Sequence, residues 1–560
     1  MARTSGPPIG APVGVPSACT RRGRARPADI APGSDQQLLP AANLTRVRRM
    51  GVDTGCEQRG GDGLRLDELF GLPATTAVTG ITLDSRLVRP GDVYVALPGR
   101  AHHGAQFATD AVRAGAVAVL TDAAGATLAA ALDRPVVVLD DPRRAMAGIA
   151  ARIYGEPSRA LTTYAVTGTN GKTTTSFLVA AALRAAGHHV GVIGTIGFLL
   201  DGARVPGART TVTTPESPEL QALLARMRDG GADSLVMEVS SHALALGRAD
   251  AIVFDVAAFT NFGADHLDFH GDLESYFEAK ASLFTAERAR TAVLNVDDPR
   301  GRELLRRTSA SGLPTVTVSL QDPSADYLAR HWEVIGGRVR VDAVLAGRPL
   351  TFELGLPGDF NVRNALTALA MIDVAKGGSR DEPGGLAAAA AGLADASVPG
   401  RMQRVDLGPD APEVYVDFAH TPQAVAAVLA ALAGRRVIVV LGCGGDRDPA
   451  KRRPMGAAAA RGAAVVVVTD DNPRNESPAA IRAEVLAGAE EARAADGRPV
   501  QIVDGGDRRS AVLFALRTAN AGDVVAVLGK GHEPGQEIGG RILPFSDIAV
   551  VDEAWQEVSA

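Results

Sequence analysis

One run of residues constrains this 560-residue chain more than any other: YAVTGTNGKTTTSFLV, residues 164–179. A β-prone apolar stretch runs into a loop bounded by glycines, and a helical pattern follows. The widely known phosphate loop reads G-x-x-x-x-G-K-[ST]. Five residues before Gly171 stands Val166, so this loop is the tighter Gly168, Thr169, Asn170, Gly171, Lys172, Thr173, Thr174. Its glycines let backbone N–H groups turn inward around phosphate oxygens, and the helix dipole adds positive potential. Lys172 is placed to reach terminal phosphates and Thr173 to ligate Mg²⁺. The bland alternative, an ordinary glycine-rich turn, is disfavoured by G-K-T-T standing between strand and helix.

Composition excludes several classes. The net charge of −6 gives no support for a nucleic-acid binder. No run of about 18 apolar residues appears, so no membrane insertion is expected. The three cysteines, Cys19, Cys56 and Cys443, form no C-x-x-C pair, which fits a cytoplasmic protein without disulfides or structural zinc. Only five lysines, Lys172, Lys280, Lys376, Lys451 and Lys530, stand among 58 basic residues. Where arginine is so favoured, surviving lysines are enriched at sites needing an amine.

Residues 1–62 are rich in Gly, Pro, Ala and Arg without apolar period and read as a disordered extension. Residues 63–158 read as a small α/β unit, with two short strands around a Pro-Gly turn in 78–99, a helix near 104–115, and strands at 117–121 and 135–140. Residues 159–397 alternate strands and helices. Strands at 163–166, 190–193, 234–238, 253–260 and 291–295 read as a buried parallel sheet, and helices at 173–186 and from 358 onward. Residues 398–560 hold three apolar strands that each break into a polar, glycine-rich loop: VIVVLGCGGDRD, AAVVVVTDDNPR and DVVAVLGKGHE. Ligands in open α/β sheets gather at that edge, so the three loops suggest one composite pocket.

Other chemistry-bearing residues cluster at strand ends. Glu238 of MEVSSHALALGR ends a buried strand, where it is either a metal ligand or activator of water, or a cap for the next helix. Asp265, His266, Asp268 and His270 follow another strand end; His266 is a Mg²⁺ ligand candidate, against the plainer reading of a solvated acidic loop. Lys280, on the ensuing helix among small and apolar neighbours, suggests an amine that must lose its proton.

Taken together, GTNGKTT, MEVSSHAL, TNFGADHLDFHG with YFEAKASLF, GDFNVRNALTAL, PGRMQRVD, VDFAHTP, GCGGDRD, DDNPR and GKGHE resemble the Mur ligase family, from about Leu64 to the C-terminus. The resemblance implies α/β architecture in three domains. These are a small N-terminal UDP-binding domain, a central P-loop parallel-sheet ATPase domain, and a C-terminal Rossmann-like domain for the incoming amino acid. It implies ATP-dependent amide formation. A side-chain carboxylate of UDP-MurNAc-L-Ala-D-Glu takes the γ-phosphate, the amine of meso-diaminopimelate attacks the acyl phosphate, and phosphate leaves with ADP. Lys172 and Mg²⁺ would neutralise the gathered negative charge.

By the same resemblance, Thr173 and Glu238 belong to a first metal site, His266 to a second, and Lys280 matches a lysine carbamylated by CO₂. The nucleotide sugar is expected at Leu83, Ser85, Arg100, Ala101, His102, Thr213, Thr214, Ser240 and Arg248. Leu246 and Val212 stand where relatives often carry glutamine and asparagine. Asn361 and Asn364 are expected near adenine, and Asp417 and His420 at the nucleotide from the third domain. Arg447, Asp471, Asn472, Pro473, Arg474, Gly529 and Glu533 form the amino-acid pocket. There a fork from Arg474 to the distal carboxylate favours the diacid over lysine. A monomer with small-molecule partners and hinges near 154–158 and 397–401 is expected. The alternatives are a folylpolyglutamate synthase-like ligase, a P-loop switch or transport ATPase, and a non-catalytic nucleotide-sugar binding module.

Overall fold

A computed structural model describes residues 44–46, 64–99, 101–206, 212–335, 338–375 and 385–560. Arg100, Lys376 and most of the 1–62 extension lie outside the described residues.

The first sheet is all parallel, in the order Leu44–Arg46, Val136–Val138, Ala118–Thr121, Asp92–Ala96, Gly80–Thr82. One expectation changes here. The strand Leu44–Arg46 lies inside the segment expected to stay outside the fold. It pairs in parallel with Val136–Val138, and a three-residue strand carries no side-chain period to read. The two strands of 78–99 run parallel, because a 3-10 turn at Ser85–Leu87 carries the chain back before Asp92–Ala96 begins.

The central sheet has eleven strands, and seven run parallel: Tyr327–Ile335, Thr315–Ser319, Ala289–Asn295, Phe254–Phe259, Thr162–Thr167, Ser234–Glu238 and Val190–Gly194. Antiparallel strands extend both edges: Arg338–Leu345 and Arg348–Leu354 at one, Gly197–Leu200 and Ala203–Arg204 at the other. Sequence reading assigned nothing over 315–354, although RVRVDAVL alternates buried and exposed along Arg338–Leu345.

Period two divides the sheet faces. Tyr164 and Val166 join Leu178, Val179, Leu183, Val362 and Leu366 in one core, where helices Lys172–Ala185 and Asp359–Val374 pack. Ala165 joins Leu220, Leu223, Met227 and Phe277 in the other. Because the central strands are parallel, Thr167, Glu238, Phe259 and Asn295 all end on one edge.

The third sheet runs Gln403–Val405, Glu413–Asp417, Val524–Leu528, Val437–Leu441, Val465–Thr469, Gln501–Gly506, parallel except for its first strand. Four loops, after residues 417, 441, 469 and 528, therefore gather at one edge. Both expected linkers contain left-handed backbone: Gly155 and Glu156 at φ 70° and 47°, Gly400 at φ 63°. A Cβ on Gly400 would stand 2.1 Å from the His532 nitrogen, so glycine lets this linker pack on the third domain. No helix among the described residues is long and apolar enough to cross a membrane.

Arg508 anchors the C-terminal helix Asp547–Ser559. Its Nε and Nη2 donate to the Asp547 carboxylate at 2.7 and 2.8 Å, Nη2 also donates to the Leu528 carbonyl at 2.9 Å, and both side chains are fully buried. Removing one partner strands a buried charge, at a cost of about 3–5 kcal/mol. Asp547→Ala is expected to lower the urea midpoint of the third domain, read from Trp555 fluorescence in a Trp332→Phe background. Leu543→Ala, on an exposed hairpin, is expected to leave it in place.

Candidate active site

The loop at residues 168–171 takes its shape from its neighbours. Gly168 lies at φ 146°, and a Cβ there would stand 2.0 Å from Thr260 Oγ1. Thr260 Oγ1 donates to the Asn170 carbonyl at 2.6 Å, Asn261 Oδ1 accepts from the Asn170 N–H at 2.9 Å, and Asn295 holds the Thr260 carbonyl at 2.6 Å. Gly171 caps the helix in left-handed geometry, φ 85°, with no side-chain bond to its first amides, which leaves those N–H groups available to an anion. Lys172 folds back, donating to the carbonyls of Gly168 and Thr169 at 3.0 and 2.9 Å.

Thr173 Oγ1 donates to Glu238 Oε2 at 2.9 Å. Glu238 is fully buried; its Oε1 accepts from the Thr195 N–H at 2.8 Å and its Oε2 from Thr195 Oγ1 at 3.0 Å. Gly194 makes room, since a Cβ there would stand 2.1 Å from Glu238 Oε1. A buried carboxylate and a hydroxyl side by side form the hard oxygen set that suits Mg²⁺. The strand-end position expected for Glu238 holds, and its carboxylate points to Thr173 rather than to the start of the next helix, where Ser240 caps Ser241–Ala245.

Lys280 reaches the same loop from helix Leu273–Ala281. Its Nζ is buried, donates to the Gly168 carbonyl at 2.7 Å and lies 4.5 Å from the Tyr276 ring centroid. Burial first, then the Lys172 charge, pushes its ammonium well below the ordinary lysine range, so a neutral amine is accessible. That is the chemical state that accepts CO₂. Burial also lowers Lys172, against the opposing charges of Glu238 and Asp265.

His266, at φ 52°, sits beside Asp265 with Nε2 3.4 Å from its carboxylate, and burial holds its imidazole below the usual range. Its ring packs against His242 at 4.8 Å between centroids. Burial would raise Asp265, but the charges of His266, of His420 across the domain boundary, and of Lys172 hold it low. Asp417 is buried and raised, accepting from the Met402 N–H at 2.6 Å. Asn364 flanks the loop, its Oδ1 2.8 Å from where a Gly171 Cβ would lie, and Asn361 donates to the Pro357 carbonyl at 2.8 Å. Thr174 is buried in the first helical turn.

The residues expected around the nucleotide sugar divide between two domains. Thr214 Oγ1 donates to the Glu238 carbonyl at 2.8 Å, Thr213 Oγ1 lies 3.1 Å from Thr195 Oγ1, and Ser240 N–H donates to Thr214 at 3.2 Å. Arg248 donates to the Thr214 carbonyl at 2.9 Å and to Glu216 at 3.0 Å, and Glu216 also accepts from Arg143 of the first domain at 3.0 Å. Ser85 opens the 3-10 turn of the first domain two residues after Leu83, and Ala101 and His102 of the same domain are exposed.

In the third domain, Arg474 is held rather than free. Its Nε donates to Glu537 at 2.9 Å and its Nη1 to the Gly445 carbonyl at 2.7 Å, leaving three N–H groups of the fork for a ligand. Asn472 donates to Glu533 at 2.8 Å. Gly529 lies at φ 113°, where a Cβ would meet Asp471 at 2.5 Å. Pro473 is buried, and Arg447 is exposed at the rim.

Sequence reasoning missed Thr195, Tyr276, Glu216, Glu537 and Arg401 as site residues. Tyr276 was legible, one helical turn before Lys280. Arg401, stacked 4.5 Å over Phe418, carries a buried Nε without a partner among the described residues, and its charge acts on Glu238 and Lys172. Only the fold brings it to the loop.

Three families match in chain order: "Mur ligase family, catalytic domain" over 77–154, "Mur ligase middle domain" over 166–372, and "Mur ligase, glutamate ligase domain" over 400–531. The UDP-N-acetylmuramoyl-L-alanyl-D-glutamate–2,6-diaminopimelate ligase of Streptomyces avermitilis is 47% identical over 488 residues, 86% of this chain and 93% of the relative. The protein of that name from Pseudomonas aeruginosa is 41% identical over 488 residues, 85% and 94%. A solved structure of a ligase of that name aligns at TM-score 0.63 and 31% identity, covering 89% of this chain and 100% of the other. A Mycobacterium tuberculosis folylpolyglutamate synthase complexed with ADP and AMPPCP aligns at TM-score 0.53 and 21% identity, over 68% and 91%, which is a likeness of fold.

Two outcomes follow from the geometry. Gly168→Ala puts a methyl group into Thr260 and strains a left-handed residue, so ADP binding measured by calorimetry should fall at least about tenfold, near the 1–3 kcal/mol of such strain. Burial, then nearby cations, pushes His532 down to about 4 from 6.5. As pH falls from about 6.5 towards 4, the unfolded chain takes a proton that the folded chain refuses, so stability is lost across that window. Urea midpoints at pH 7 and pH 5 should differ less in His532→Gln than in the wild type.

Proposed function

The chain belongs to the Mur ligase family, and from that premise we propose that it joins meso-2,6-diaminopimelate to the D-Glu of UDP-MurNAc-L-Ala-D-Glu. It is an ATP-dependent ligase of peptidoglycan precursor synthesis. The observation that carries the mechanistic reading is the meeting of Lys172 and Lys280 at one carbonyl, that of Gly168, with the buried pair of Thr173 and Glu238 on the same loop.

In this reading the loop amides and Lys172 hold the phosphates, with Lys172 turning from its carbonyls to the anion. Thr173 and Glu238 would hold one Mg²⁺, and His266 with a carbamate on Lys280 a second; these ions offset negative charge where carboxylate and triphosphate meet. Carbamylation needs a neutral amine and releases a proton, which the depressed ammonium of Lys280 favours. The D-Glu carboxylate attacks the γ-phosphorus and ADP leaves. The diaminopimelate amine then attacks the acyl carbon, loses a proton, and the tetrahedral species expels phosphate. Asn361, Asn364, Asp417 and His420 line the nucleotide. Thr213, Thr214, Ser240 and Arg248 position the sugar-peptide, together with Leu83, Ser85 and the 100–102 segment. Arg447, Asp471, Asn472, Pro473, Arg474, Gly529 and Glu533 take the amino acid, with the Arg474 fork on the distal carboxylate. Water is kept from the acyl phosphate by closure of the third domain on the second. The enzyme works as a monomer in the cytoplasm.

One assay tests this. Phosphate release is expected only when both UDP-MurNAc-L-Ala-D-Glu and meso-diaminopimelate are supplied. Turnover with a folate and glutamate, or without either substrate, overturns the reading; equal use of lysine overturns the role of Arg474. Lys280→Arg keeps a basic side chain but takes up no CO₂, and coupling should fall by at least about 100-fold, in the range seen when transition-state charge loses its support. Unchanged coupling in that variant removes Lys280 from the mechanism.

A further inference from the structure

One buried lysine remains without a role. Lys530 lies between Gly529 and Gly531, both left-handed at φ 113° and 55°, just after the strand Val524–Leu528. A Cβ on Gly531 would stand 2.7 Å from the Gly400 carbonyl and 2.8 Å from Phe418 Cβ, so the backbone passes too close there for any side chain. This close packing directs the Lys530 side chain inward, and it is fully buried.

Its ammonium donates to Asn472 Oδ1 at 3.0 Å and to Glu533 Oε2 at 3.0 Å. Asn472 Oδ1 also accepts from the Glu537 N–H at 2.9 Å. An ammonium and a backbone amide only donate, so the oxygen of the Asn472 amide must face them and its NH₂ must face the other way. Nδ2 accordingly meets Glu533 Oε2 at 2.8 Å. With Oε2 occupied twice, Oε1 is the carboxylate oxygen left for a ligand, on a side chain one-third exposed.

We propose that Lys530 is a positioning residue: by fixing the Asn472 amide and the Glu533 carboxylate, it builds the site that receives an ammonium of the incoming diamino acid. This rests on the amino-acid-pocket reading above. A compact ammonium with rotatable donors meets both oxygens at once, which accounts for a lysine in an arginine-rich chain.

The test compares Lys530→Met, unbranched and one atom shorter without donors, with Lys530→Gln, which keeps a donor for Asn472 Oδ1. The KM for meso-diaminopimelate should rise about tenfold or more in Lys530→Met, the worth of a charge-assisted bond. The rise should be smaller in Lys530→Gln, with the KM for ATP unchanged in both. In an Asn472→Ala background Lys530→Met should add little, because the two act as a unit. Lys530→Gln keeps a polar head in the slot and carries the test should Lys530→Met melt early. An unchanged KM for diaminopimelate, or an equal loss for every substrate, overturns the inference. Wild-type protein without diaminopimelate-dependent phosphate release overturns the proposed function instead.

Discussion

The rest of the structure depends on a loop too tight for side chains. Between the strand Thr162–Thr167 and the helix Lys172–Ala185, backbone at Gly168 and Gly171 lies in left-handed geometry within contact of Thr260 and Asn364. That closeness aims free helix amides and two lysines at one point. Such a concentration of donors is tolerable only where an anion arrives, and the buried carboxylate of Glu238 nearby is tolerable only because hydroxyl and amide donors, Thr173 and Thr195, satisfy it.

The domains communicate through charge at this point. Glu216 links Arg143 of the first domain to Arg248 of the second, while Arg401 and His420 of the third act on Glu238, Lys172 and Asp265. Apart from this centre, polar side chains of the third domain are held by the protein itself: Arg474 donates to Glu537 and to the Gly445 carbonyl, and Lys530 donates to Asn472.

Much of this was legible along the chain. The parallel strands up to residue 295, the loop and the strand-end residue Glu238 follow from period and position, because a strand that ends in a polar loop at a sheet edge leaves few alternatives; Asp417 and Asn472 were picked out by the family resemblance. Lys280 stood out because lysine is rare here. The antiparallel additions at both edges of the central sheet, and the short strand Leu44–Arg46, were not read. Edge strands take their place by backbone pairing, which leaves little trace in side-chain type.

Sequence alone determined that a phosphate loop would sit between a buried strand and a helix, since local backbone geometry there requires glycine. The rarity of lysine also singled out position 280. Only the tertiary structure decided that Lys280 and Lys172 share the Gly168 carbonyl 112 and 4 residues apart in sequence, that Thr195 and Glu238 meet, and that Arg401 reaches the loop. Those meetings depend on strand order and domain docking. Both are fixed by packing across the whole sheet rather than by any neighbouring residue.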